Sequence, residues 1–386
     1  MKERRSRGNL TFTLLAVGIL VTGFSLGFLC QGEAAWAAGV LEGRWEAKQA
    51  NGSRWWIEFE TGSGIRRSRS SSTVRDQALA SFLRGSGEVH QIDREAGSFL
   101  LTRASGGDRR SGGSFQFTPD LDFVRDLERR GYDGLTDRRI FQLATVDLTA
   151  GFIDDLAAAG YDDLPLDQLT AMRIHGADGE AIHELAAIGY SGVDPERLIA
   201  MRIHGVSPTY IGKLTALGHR DLTVDRLIEM RIHGVTPAFV EEVAAAGYGD
   251  LGARRLVEWR IHGVSAEFIT GLERAGVADL DSARLVELRI HGVTAAYLEE
   301  MAELGYQGLA AQRWVEARIH GVGPEFVRAL ATQGYESLSL SKLVEMRIHG
   351  VSPDFIRRLA ERGIHDLSAD RLIEIKIHGF DRYLDG

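Results

Sequence analysis

The sequence predicts a small β-rich domain followed by an all-α solenoid of helix-turn-helix repeats, and three observations carry that prediction. The tetrapeptide Arg-Ile-His-Gly recurs with its histidine at His175, His204, His233, His262, His291, His320 and His349, then as Lys-Ile-His-Gly at His378, every interval being 29 residues. A second register keeps the same period: Gly131, Gly160, Gly189, Gly218, Gly247, Gly276, Gly305, Gly334 and Gly363. Ahead of both lie β-prone runs broken by turn residues, as in Trp55-Trp56-Ile57-Glu58-Phe59-Glu60 after Asn51-Gly52. Two independent registers at one spacing define a tandem array, nine units of 29 residues over 119–379. The chain therefore divides into an N-terminal segment (1–39), a β-rich domain (40–118), the repeats (119–379) and a C-terminal stub (380–386).

Residues 2–7 form a positive segment, and Leu10 to Cys30 is an uncharged apolar run. That pattern reads as a signal peptide or signal anchor whose basic end stays inside. The run exceeds the roughly 7–15 residues of a cleaved signal's apolar region and meets the roughly 20 needed to span a bilayer. Ala35-Trp36-Ala37 also offers a small-x-small cleavage site. Cleavage after Ala37 gives a periplasmic or secreted protein; retention gives one anchored in the inner membrane by residues 10–30, its only membrane contact.

In the β-rich domain, Arg44 to Lys48 and Trp55 to Glu60 flank Asn51-Gly52 as one hairpin. Val89 to Ile92 and Ser98 to Leu101 flank Glu95-Ala96-Gly97 as a second, Ser114 to Thr118 is a further strand, and Ser72 to Leu83 reads as one short helix. Arg66, Arg67 and Arg69 with Ser70 to Ser72 form a basic stretch that can meet anionic lipid if the anchor is kept.

One unit shows why each repeat is two helices. Ser352-Pro353-Asp354 caps and opens the first, Phe355, Ile356 and Leu359 share a face, and Gly363 stops it. Ser368 caps the second, in which Leu372, Ile373, Ile375 and Ile377 make a more apolar helix ending at His378-Gly379. The same cap chemistry recurs at Asp178, Ser207, Thr236, Ser265 and Thr294, and at Asp194, Thr223, Asp281 and Ser339. Isolated helices under about 12–15 residues are marginal in water, so stacking must stabilise them. The first unit, where Val146-Asp147 replaces His-Gly, and the stub are the expected end caps.

Six of the histidines have a glutamate four residues earlier: His233 with Glu229, His262 with Glu258, His291 with Glu287, His320 with Glu316, His349 with Glu345 and His378 with Glu374. Glu and His one turn apart can sense pH or take a cation. Equivalent histidines about 8–10 Å apart cannot share one zinc with ligands near 2.0–2.2 Å, so no metal is expected. The competing role is structural, a helix C-terminus before a glycine stop. The adjacent arginines are expected to pair with acidic residues of neighbouring units.

Composition sets further bounds. The chain has 386 residues, 44% hydrophobic and 26% charged, with 7 prolines, which excludes a largely disordered chain. Its net charge of −9 is unevenly spread: 1–39 carries +2, 40–118 carries +3, and the remainder −14 (29 basic, 43 acidic). Acidic repeats are repelled by phosphate backbones, so no nucleic-acid partner is expected. A single cysteine, Cys30, leaves no intrachain disulfide. His183-Glu184-Leu185-Ala186-Ala187 begins like a zinc-peptidase helix but lacks its second histidine, and no nucleophile elbow, phosphate loop or dinucleotide fingerprint occurs. The chain reads as a non-enzyme without a cofactor.

The unit Arg-Ile-His-Gly-Val-[Ser/Thr]-Pro-x-[Phe/Tyr]-[Ile/Val], with Leu-Gly-Tyr-x-x-Leu in its middle, resembles a bacterial repeat segment joined to membrane sensor metallopeptidases of the BlaR type. The approach Gly112-Gly113-Ser114-Phe115-Gln116-Phe117-Thr118-Pro119 resembles what precedes that segment. The peptidase signature His-Glu-x-x-His is missing here, so the resemblance implies only an exported sensing or binding segment. The expected function is an exported, non-enzymatic protein-binding or scaffolding protein whose partner is another protein, a membrane sensor among the candidates. The alternatives are a pH- or cation-responsive sensor built on the Glu–His pairs, and a structural envelope spacer.

Overall fold

A computed structural model describes residues 39–49, 55–62, 68–74, 77–107, 109–278 and 280–379. The expected signal segment, the Asn51-Gly52 turn, Arg66 and Arg67 and the C-terminal stub lie outside these residues. Strands β1 (Leu41–Gln49), β2 (Trp55–Thr61), β3 (Ser68–Val74), β4 (Val89–Arg94), β5 (Gly97–Gly107) and β6 (Arg110–Pro119) form one antiparallel sheet in the order β3-β2-β1-β6-β5-β4. Strict alternation builds it. Trp45, Ala47, Trp55, Ile57, Phe59, Phe99, Leu101, Phe115 and Phe117 are buried on one face, while Arg44, Glu46 and Trp56 are exposed on the other.

The two expected hairpins pair as read, Trp45 opposite Phe59 and Ile92 opposite Phe99. The helix expected from Ser72 is shorter: Ser72 to Val74 belong to β3, and α1 spans Gln77–Leu83. β3 pairs along its full length with β2, from Trp55 opposite Val74 to Thr61 opposite Ser68. Serine and threonine gain little from a helix interior, and the ladder satisfies their backbone instead. Arg69 to Ser72, part of the stretch expected to meet lipid, are thus in this strand.

Helices then follow in series with the 29-residue spacing. They are α2 (Leu121–Arg129) and α3 (Asp137–Thr145), α4 (Ala150–Ala158) and α5 (Leu166–His175), and α6 (Gly179–Ala187) and α7 (Pro195–His204). Next come α8 (Pro208–Ala216) and α9 (Val224–Ile232), α10 (Pro237–Val243) and α11 (Ala253–His262), and α12 (Ala266–Arg274) and α13 (Ser282–Ile290). The last are α14 (Ala295–Glu303) and α15 (Ala311–Ile319), α16 (Pro324–Ala331) and α17 (Leu340–Ile348), and α18 (Pro353–Glu361) and α19 (Ala369–Ile377). No helix among the described residues is long and apolar enough to cross a membrane.

Local chemistry sets these boundaries. Every predicted cap accepts from the backbone three residues on, as Ser207 does from Tyr210 N–H, Asp194 from Arg197 N–H and Ser352 from Phe355 N–H. Each helix buries one face, and like helices then stack in rows: α5 packs on α7, α7 on α9, α12 on α14 and α14 on α16. One residue per first helix is buried at the repeat spacing, and six of the nine, Leu127, Leu156, Leu214, Leu272, Met301 and Leu330, are inaccessible to solvent. Burying such a side chain contributes about 1.5–3 kcal/mol, which a lone helix pair cannot obtain.

The start of the helical series is covered by the sheet. Helix α3 packs against β1, β3, β5 and β6, and the Phe141 ring lies 5.4–6.0 Å from those of Phe59, Phe99, Phe115 and Phe117. Each aromatic pair adds about 0.5–1.5 kcal/mol to the burial. The first helix pair therefore does not close the array by itself; it is buried against β-sheet, and the residues from Val40 onward form one compact unit.

On one edge of the stack, six tyrosines tie one loop to the next. The hydroxyls of Tyr132, Tyr161, Tyr190, Tyr248, Tyr306 and Tyr335 each donate to the carbonyl 32 residues on, at 2.6–3.0 Å. Two more tyrosines, Tyr210 and Tyr297, donate to Val235 and Val322 carbonyls at 2.9 Å, and burial pushes both phenols up to about 12. An acid whose pKa is raised by folding stabilises the fold fully below its unfolded value, near 10, and that contribution is lost as pH rises through about 12. Melting temperatures followed by circular dichroism should accordingly fall between pH 10 and 12. The double variant Tyr210→Phe/Tyr297→Phe should start about 1–3 kcal/mol less stable and lose less over that interval.

Candidate interaction surface

The four positions of the repeated motif have four different environments. The glycine holds φ between 68° and 73° at Gly176, Gly205, Gly234, Gly263, Gly292, Gly321 and Gly350, the left-handed conformation that ends the helix. It also leaves room for the next unit. A Cβ on Gly205 would lie 2.8 Å from Arg231 Nη2, and one on Gly321 2.6 Å from Arg347 Nη2.

The arginine is the clamp between units. Arg231, Arg318 and Arg347 donate through Nε to the carbonyls of His204, His291 and His320, at 3.0, 3.3 and 3.1 Å, each at the C-terminus of the preceding unit's second helix. A helix C-terminus carries unsatisfied carbonyls and a negative dipole end, and the guanidinium answers both. The other face of the cation rests on an aromatic ring from the first helix of its own unit. Arg231 lies 5.0 Å from the Tyr210 centroid, Arg260 4.9 Å from Phe239, Arg289 5.0 Å from Phe268 and Arg347 4.7 Å from Phe326. Arg202 has no such ring because Ala181 stands at the ring position.

Sequence reasoning expected these arginines to pair with neighbouring carboxylates. Only Arg173 does so, bonding both the carbonyl (2.9 Å) and the carboxylate (3.1 Å) of Asp147, which replaces glycine in the first unit. Among the described residues, Arg202, Arg231, Arg260, Arg289, Arg318 and Arg347 form no ion pair. Ion pairs between units do form at the opposite end of the second helices, as Arg197 with Asp225 (2.7 Å) and Lys342 with Asp370 (2.5 Å). The Arg197 guanidinium holds the Asp225 carboxyl below its ordinary range.

The predicted Glu–His pairs are positioned as the spacing requires but joined through backbone. His233, His291, His320, His349 and His378 each donate their N–H to the carbonyl of the glutamate four residues earlier, at 3.0–3.1 Å. The carboxylates turn the other way. Glu229 is bound by Arg226, Glu258 by Arg255 (2.5 Å), Glu287 by Arg284, Glu316 by Arg313 (2.9 Å), Glu345 by Lys342 (2.5 Å) and Glu374 by Arg371 (2.6 Å). Burial lowers the pKa of His175, in the first Arg-Ile-His-Gly copy. Among the described residues no group of three or more His, Cys, Asp or Glu can hold a metal ion.

The isoleucine is what sequence reasoning left unplaced. Ile377 was grouped with the apolar residues of its helix, yet it is 55% exposed, and its seven equivalents, Ile174, Ile203, Ile232, Ile261, Ile290, Ile319 and Ile348, are 48–55% exposed. Fold packing does not account for that uniformity. The buried position two residues earlier changes freely, from Met230 to Trp259, Leu288 and Ala317, all inaccessible to solvent. A half-exposed residue thus stays constant while a fully enclosed one varies, and that contrast was already present in the repeats. Since the second helices stack in a row, the isoleucines recur along one edge, each between a histidine and an arginine, or Lys376 in the last copy.

A second surface is the outer face of the sheet, where a depression is lined by Glu42, Arg44, Glu46, Glu58, Glu60 and Gln116. Arg44 stands opposite Glu60 across β1 and β2.

If the glutamates serve Arg and Lys rather than His, removing their charge costs only those surface pairs. The variant Glu229→Gln/Glu258→Gln/Glu287→Gln should lower the calorimetric melting temperature by the equivalent of about 1 kcal/mol, from three helix-surface pairs of about 0.3–0.5 kcal/mol each. Its dependence on pH from 5 to 7.5 should match that of the unaltered chain; a flattened profile would establish coupling to the histidines.

No family model, curated protein or solved structure matches the chain.

Proposed function

We propose that this chain is an exported, non-enzymatic protein-binding or scaffolding protein, and that the row of half-exposed isoleucines is its docking surface. In this reading the helices are nine stacked 29-residue units of an α-solenoid, related to the repeat segment of BlaR-type sensors. The sheet covers one end, and the N-terminal segment either directs export and is removed after Ala37 or tethers the protein through residues 10–30. The partner is another protein, and a membrane sensor fits the tethered form.

The observation that carries the proposal is the constancy of an exposed apolar side chain at one period. Exposed large apolar residues scattered singly need no explanation, whereas an aligned set marks an interaction surface. Solenoids supply extended surfaces of this kind, and the motif's other three residues are occupied with holding the units together. The carboxylates that a pH- or cation-responsive sensor would need are bound to Arg and Lys side chains, which favours docking over sensing.

The variant Ile232→Ser/Ile261→Ser/Ile290→Ser tests this, since half-exposed side chains cost little stability, about 1 kcal/mol each or less. The unaltered chain and the variant, each immobilised, are exposed to envelope extract of the host, and the bound proteins are quantified by mass spectrometry. At least one protein should fall about tenfold or more on the variant while its melting curve stays cooperative. Identical sets on both would refute the docking surface and leave the spacer reading.

A further inference from the structure

The arginine and isoleucine rows together specify what kind of polypeptide fits. Arg202, Arg260, Arg289, Arg318 and Arg347 are exposed, and with Arg231 they make no ion pair among the described residues. An arginine has five N–H donors in a fixed fork, and in Arg231, Arg318 and Arg347 the clamp uses Nε, leaving the terminal nitrogens for a bidentate acceptor. In every case but Arg202, which lacks the ring, the ring on one side and the glycine on the other hold the guanidinium in place before any ligand arrives, which lowers the ordering cost of binding. Each cation is next in sequence to a half-exposed isoleucine.

Spacing fixes the period. Packed helices stand about 8–10 Å apart, an extended strand advances about 3.3 Å per residue, and a polyproline II chain about 3.1 Å. Three residues of extended chain therefore pass one helix. We propose that the Arg–Ile row receives an extended polypeptide with an apolar residue at every third position and a carboxylate beside it, each triplet meeting one unit. This rests on the protein-binding reading above and names the chemistry of its partner.

A polypeptide fits better than an anionic membrane for a reason of width. The chain from 119 onward carries 29 basic and 43 acidic residues. A lipid surface broad enough to cover the row would also face that acidic remainder, whereas a single strand meets only the row.

A fluorescent 24-residue peptide of eight Leu-Glu-Pro triplets is the probe, proline keeping it extended. Its binding to the full chain is followed by anisotropy beside three controls: Leu-Gln-Pro triplets, Leu-Lys-Pro triplets, and Leu-Glu-Pro with a serine inserted after each triplet. The expected result is binding at least about tenfold tighter than every control, weakened by added salt and by the triple Ile→Ser variant. Equal binding of the Gln or Lys peptide, or of the four-residue spacing, would overturn the proposal. So would binding confined to phosphatidylglycerol vesicles, with phosphatidylcholine vesicles as reference. If the peptide fails while the triple Ile→Ser variant still loses a captured protein, the acidic-triplet partner is wrong and the docking surface stands; if neither responds, both fall.

Discussion

The contact on which this structure depends is a guanidinium placed at the end of another unit's helix. Each second helix is nine or ten residues long and ends in carbonyls with no partner inside the helix. In the unit containing Arg347, the cation reaches back to His320 C=O and lies over Phe326, so one side chain joins the preceding helix terminus to its own unit's first helix. The opposite edge carries the tyrosine bonds between loops, as from Tyr306 to Leu338. Between the two edges the apolar faces close, and stability becomes a sum of neighbour contacts.

This arrangement explains why a four-residue motif repeats so strictly. Glycine is required by its positive φ, and its missing Cβ also lets the next arginine lie close against it. Histidine carries the carbonyl that accepts from the clamp, as His320 does from Arg347. Isoleucine alone is left without a task in the stack, and it is the residue turned to solvent. A surface built as a by-product of stacking has a fixed pitch, and the proposed recognition of a polypeptide by its period rests on that pitch.

Much of the fold was legible because it is local. Ser207, Thr236 and Ser352 declare helix starts by side-chain chemistry acting over three residues, and alternation in Trp55 to Glu60 declares a half-buried strand. What was not legible depends on the stack. Arg231 bonds a backbone carbonyl 27 residues earlier, and a backbone acceptor leaves no charge signature, so pairing with acids was the natural expectation. Phe141 reads as an ordinary helix residue, and only the tertiary arrangement places it among four phenylalanines of the sheet. Ser72 to Val74 join a strand because β2 offers them a ladder. The Ile377 position follows helical periodicity from Ile373, but among the described residues no neighbouring helix covers that last turn.

The central claim is that the arginine of one unit stabilises the helix end of the unit before it. Amide hydrogen exchange in Arg347→Met, followed residue by residue by mass spectrometry or NMR, tests this directly. The account predicts that exchange quickens by about tenfold or more at the C-terminal turn of α15 and through Gly321, in the preceding unit. Faster exchange confined to residues 339–350, the arginine's own helix, would contradict it.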